Sequence, residues 1–131
     1  MGSFAITALY GGLLAIVLII LSVRVVFVVR LGRQVSLGDG DAQNLPTLRA
    51  QGNFIEYVPF AIVLLGIAEF HGTSPTWIHT LGAILLIARI LHPFGLSTIA
   101  KLNVLRILGM AGTWTVLGVS AILCIRIFFG Q

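Results

Sequence analysis

The stretch from Phe4 to Val23, FAITALYGGLLAIVLIILSV, runs for 20 positions without a charged side chain. At about 1.5 Å of rise per residue such a helix covers about 30 Å, the thickness of the hydrocarbon core of a bilayer. It reads as a membrane span. A cleaved signal peptide is disfavoured, because no basic residue precedes the run and no small-x-small site closes it. The rest of the chain has the same character: of 131 residues, 58% are hydrophobic and 9% charged, where soluble domains carry about 25% charged residues. The mean hydropathy is +1.08. A soluble globular enzyme, a disordered tail and a disulfide-rich secreted module are thereby excluded.

Three more apolar stretches follow, and the pattern predicts spans over about 4–29, 48–69, 76–91 and 104–129 of a single domain covering 1–131. The fold expected is all-α, an integral membrane four-helix bundle. The linker from His71 to Pro75 is short and holds Gly72, so spans two and three should form an antiparallel hairpin. Pro93, with Gly95 and Ser97 behind it, is expected to end span three, and Pro59 to kink span two. Pairs of small residues in span one, Ala8 with Gly12 and Gly11 with Ala15, would let helices approach closely. The polar connection from Arg30 to Pro46 contains Asp39 and Asp41, which lack the further ligands of a calcium loop and read as turn residues.

The net charge of +4 rests on Lys101 and seven scattered arginines. No solvated basic stripe forms, so nucleic acid is not an expected partner. Arg24, Arg30, Arg33 and Arg49 flank the first connection and Arg89, Lys101 and Arg106 the third, while Arg126 stands alone on the other side. The positive-inside rule then predicts a multi-pass protein with both connections cytoplasmic and both termini on the opposite side. Cys124 lies among apolar residues and reads as a packing residue.

Charge inside hydrocarbon costs about 2.5–3.5 kcal/mol per residue on insertion scales, so charges retained there call for partners or a use. Span two opens with Arg49, Asn53 and Glu56 at i, i+4 and i+7, on one helical face, with Glu56 about 10 Å deeper than Arg49. Span three brings Arg89 and His92 to the same boundary, and span four leaves it with Arg106 in its first turn. One carboxylate among so many cations suits a ligand with more than one acid group. In a plainer reading Glu56 pairs with an arginine and the others reach lipid phosphates. Toward the other boundary Glu69 is expected to be solvated, and His71 and His79 to be interfacial residues. No metal-ligand spacing is visible.

The run Arg49-Ala50-Gln51-Gly52-Asn53-Phe54-Ile55-Glu56, followed by Tyr57 and Pro59, resembles the Arg-x-x-x-Asn-x-x-Glu pattern of the membrane-associated proteins in eicosanoid and glutathione metabolism, the MAPEG family. That family includes microsomal glutathione transferases and leukotriene C4 synthase. Ala88-Arg89-Ile90-Leu91-His92 in span three, the four spans and the long first connection agree with the resemblance, which covers nearly the whole chain.

The resemblance implies a homotrimer that binds glutathione as co-substrate between neighbouring subunits near the cytoplasmic boundary. Arg30, Arg49, Asn53, Glu56, Arg89 and His92 match the positions that contact glutathione, and Arg106 the arginine that activates its thiol. The partner substrate would be a lipophilic electrophile dissolved among the membrane lipids, and lipid hydroperoxides would be a further substrate. Two positions depart from the pattern. Pro46 stands where some members carry another arginine, and Leu96 where the eicosanoid enzymes carry a tyrosine, which points away from an eicosanoid substrate. Two other classes fit the same residues: a non-catalytic protein binding an anionic lipid or metabolite, and a small proton-coupled exporter using Glu56.

Overall fold

The computed structural model describes residues 3–31, 45–96 and 104–130, and every regular element among them is helical. Helix α1 spans Ala5–Arg24 and continues as a π-helical segment, Val25–Leu31. Helices α2 (Leu45–Phe70), α3 (Pro75–Leu96) and α4 (Val104–Phe129) complete the chain. All four are long and apolar enough to cross a membrane. The stretch Ala5–Val28 has the highest mean hydropathy of the four, 2.7, and buries only 17% of its residues inside the bundle. It is the helix least covered by the rest of the chain.

The helix ends differ from expectation at α2 and α3. Helix α2 begins at Leu45, with Pro46 in its first turn, where the missing N–H has no carbonyl to reach and the fixed φ suits the helix. Helix α3 does not stop before Pro93 but runs through it to Leu96. Proline there leaves only the Arg89 carbonyl without its i+4 donor, a loss that a single further turn tolerates. Helix α2 likewise continues through Pro59, which faces outward on the bundle.

The hairpin between α2 and α3 is closed by a backbone motif. Gly72 takes φ +86°, its N–H donates to the Glu69 carbonyl at 3.0 Å, and the Thr73 N–H donates to the Ala68 carbonyl at 3.0 Å. This 6→1 and 5→2 pairing is a Schellman termination, in which the left-handed position favours glycine.

Glu69, expected to be solvated, is 8% exposed. Its Oε1 accepts from the Ile6 N–H at 2.9 Å and its Oε2 from the Thr7 N–H at 2.7 Å. The Ala5 N–H donates to Ser3 Oγ at 3.2 Å, and the Ala8 N–H to the Phe4 carbonyl at 2.7 Å. The N–H groups of Ala5, Ile6 and Thr7, which have no carbonyl within α1 to reach, are therefore all satisfied, two of them by a carboxylate on another helix. A negative charge at a helix N-terminus is further favoured by the macrodipole. Glu69→Ala is expected to lower stability by about 1–3 kcal/mol, read as a reduced midpoint of thermal unfolding in detergent.

Contact between helices is closest along α3 and α4. The face of α4 turned inward carries Gly109, Thr113, Val116 and Ser120, all buried, at spacings that keep them on one side of the helix. A Cβ on Gly109 would lie 2.9 Å from the Ala88 carbonyl oxygen and 2.9 Å from His92 Cβ, and one on Gly112 3.0 Å from Ala88 Cβ. The small residues of α1 do not serve this purpose within the chain: a Cβ on Gly12 would meet nothing within 4 Å, and one on Gly11 would only touch Ile62 at 4.0 Å. A second close approach seats the Tyr10 ring directly on Gly82, with the Tyr10 hydroxyl 3.3 Å from Nδ1 of the exposed His79. Leu14, Leu21, Phe54, Leu65, Leu85 and Val116 fill the core between these contacts.

Candidate functional site

Near the boundary approached by the C-terminal half of α3, the polar residues of α2, α3 and α4 divide into two layers. The inner layer is Arg89, 1% exposed, and His92, 3% exposed, with the half-buried Asn53 beside them. Arg89 Nη2 donates to the Gly109 carbonyl of α4 at 3.0 Å. Its Nη1 makes a longer contact, 3.5 Å, to the Asn53 carbonyl of α2, and Met110 Sδ lies 3.9 Å from Nη2. The Gly109 carbonyl, which also belongs to the backbone ladder of α4, accepts from Thr113 Oγ1 at 2.8 Å as well. Arg89 Nε and Asn53 Oδ1 are buried and find no hydrogen-bond partner among the described residues. His92 lies within electrostatic range of both Arg89 and Arg106, and Tyr57 is near Arg89.

The outer layer is Arg49, Glu56 and Arg106, all exposed on the surface of the single chain. Among the described residues none of the three forms an ion pair, and the expected pairing of Glu56 with an arginine is not made among them. Arg30 falls in the π-helical continuation of α1, and its side chain lies outside the described residues. So do the connection 32–44, with Arg33, Asp39 and Asp41, the connection 97–103, with Lys101, and the side chain of Leu96. Gln51 turns from the polar face toward α1, where its Nε2 donates to Ser22 Oγ at 2.8 Å.

The structure thus gathers Asn53, Arg89 and His92 into the bundle and leaves Arg49, Glu56 and Arg106 outside it. Gly109 and Thr113, which complete the surroundings of Arg89, carry no charge and drew no attention in the sequence. Their signal was the small-x-x-x-small spacing Gly109-Met110-Ala111-Gly112-Thr113, the same signal sought in span one.

A polytopic all-α membrane protein with charged side chains exposed at one boundary is the class these features define. The MAPEG family model matches residues 7–126, and the chain belongs to that family. It is 36% identical over 113 residues to the inner membrane protein YecN of Escherichia coli (strain K12), a match that covers 86% of this chain and 84% of that protein. The YecN protein of an O6:H1 strain of Escherichia coli matches to the same extent.

Proposed function

We propose that the protein is a membrane glutathione transferase, which joins glutathione to lipophilic electrophiles and reduces lipid hydroperoxides with the same thiolate. The observation that carries this reading is the exposure of Arg49 and Glu56 on a helix otherwise apolar enough to cross the bilayer. Facing lipid at the bilayer centre a charge would cost about 2.5–3.5 kcal/mol, and nearer the boundary less. A neighbouring copy of the chain and a zwitterionic ligand between the two remove that cost. Glutathione has two carboxylates for Arg30 and Arg49 and an ammonium for Glu56, while Asn53 and His92 supply further polar contacts from the inner layer. Arg106 then stands near the thiol, where a cation stabilises the thiolate. The thiolate attacks the electrophilic carbon, a new carbon–sulfur bond forms, and the leaving group departs into water.

In this reading the working unit is a homotrimer, with the site at the cytoplasmic boundary and both termini on the opposite side, in keeping with the seven-to-one division of Lys and Arg. The relative's description as an inner membrane protein supports a similar location for this chain. Titration calorimetry in detergent tests it directly. Wild type is expected to bind glutathione and Arg49→Ala to bind it at least about tenfold more weakly, since truncating one partner of a desolvated charge pair costs about 2–5 kcal/mol. No glutathione binding by well-folded wild-type oligomer removes the proposal, and saturable binding of an anionic lipid in its place would favour the non-catalytic class.

A further inference from the structure

Arg89 is the largest of the fully buried side chains, and among the described residues it has no carboxylate partner. Its two terminal nitrogens are instead directed at main-chain carbonyls on two other helices, Asn53 on α2 and Gly109 on α4. Among the described residues only its Nε is left without a partner. A planar fork with donors in fixed directions is well suited to bridging two helices at a set separation. The carbonyl it holds on α4 is at the place where that helix runs closest to α3, because Gly109 has no side chain. Arg106 lies three residues before Gly109 on the same helix, about 4.5 Å along its axis.

We propose that Arg89 is a positioning residue: through the Gly109 carbonyl it sets the axial placement of α4 against α3, and with it the depth at which Arg106 stands at the boundary. In this account Arg89 acts on catalysis through Arg106 and makes no contact with the bound thiol peptide. Its kinetic consequence rests on the glutathione reading, whereas its structural consequence does not.

The test uses the full-length oligomer in detergent with Cys124→Ala as background and spin labels at Ile87→Cys on α3 and Leu108→Cys on α4, positions 56% and 53% exposed. Labelled chains are diluted into unlabelled ones, so that distances within one chain are read. Without any ligand, Arg89→Met and the milder Arg89→Lys are expected to shift or broaden the distance distribution by roughly 1–2 Å, the scale of helix displacements in packed bundles. An unchanged distribution in both variants overturns the proposal.

With glutathione and an aryl halide, both variants are expected to lose kcat by about 10²-fold, the scale of a 1 Å misplacement. Their KM for glutathione should stay within about threefold of wild type, and the ultraviolet absorbance of bound thiolate should fall. A KM raised tenfold or more with kcat retained would make Arg89 a ligand contact and overturn the proposal. Should wild type neither bind nor turn over glutathione, the functional reading fails on its own, and the ligand-free distances still decide the placement of α4.

Discussion

Arg106→Ala is expected to reduce glutathione conjugation by about 10²–10³-fold, the usual cost of removing one preorganised group that stabilises developing or standing negative charge at a reacting atom. The loss should fall on kcat, because Arg106 faces the thiol in the proposed site while Arg49 and Glu56 hold the ends of the peptide. Turnover of an aryl halide measures the first quantity and calorimetry the second. Retained turnover in Arg106→Ala would take the thiol-activating role away from this residue. A parallel loss of binding would move it to the group that holds carboxylates. Arg106→Lys keeps a cation at the same depth and is expected to recover part of the rate, which a purely steric role would not predict.

Gly109→Val should produce the largest loss of stability of any single substitution considered. The added Cβ would meet the Ala88 carbonyl oxygen and His92 Cβ at 2.9 Å each. The first of these is main chain and the second is anchored directly to it, so relief requires α3 and α4 to separate. Overpacking of this kind costs about 1–3 kcal/mol. Separation also withdraws the Gly109 carbonyl from Arg89, and a buried donor left unsatisfied costs about 1–3 kcal/mol. A bundle this thin should then fail to reach its folded state in detergent, which denaturant titration and size-exclusion chromatography will show.

Gly12→Ala provides the contrast. Nothing stands within 4 Å of its added Cβ, so the gain in helix propensity, about 0.5–1 kcal/mol, should appear as a small increase in stability. A loss there would reveal that this face of α1 is covered by another copy of the chain.

Much of this molecule could be read from its residues in order. Runs of apolar residues of membrane-crossing length give four helices, and the short linker holding Gly72 gives the α2–α3 hairpin, because both depend on local chemistry alone. The spacing of Arg49, Asn53 and Glu56 and of Arg89 and His92 follows from 3.6 residues per turn, whatever surrounds the helices. The pattern in span two also pointed to the family that the chain belongs to. Proline was the less reliable guide. Pro93 was expected to close α3, yet the helix continues to Leu96, since one missing hydrogen bond in a last turn is cheaper than ending the helix early.

Which of the polar residues turn inward was not legible, and the reason is specific to a membrane. In a soluble protein an apolar stripe marks the buried face, but lipid is as apolar as a protein core, and hydrophobic periodicity loses its sidedness. Helices here are apolar all round, so their rotation is set by where backbones can approach and where polar groups find partners. Gly109 and Gly82 decide the first. Arg89 on the Gly109 carbonyl and Glu69 on the Ile6 and Thr7 amides decide the second. Each of these contacts joins residues at least 17 positions apart in the sequence. The sequence by itself determined the number of spans, the family and the boundary at which the charges collect. Only the tertiary structure decided that Arg89 and His92 face the interior while Arg49, Glu56 and Arg106 face outward, because that choice depends on the fit between helices and not on the pattern along any one of them.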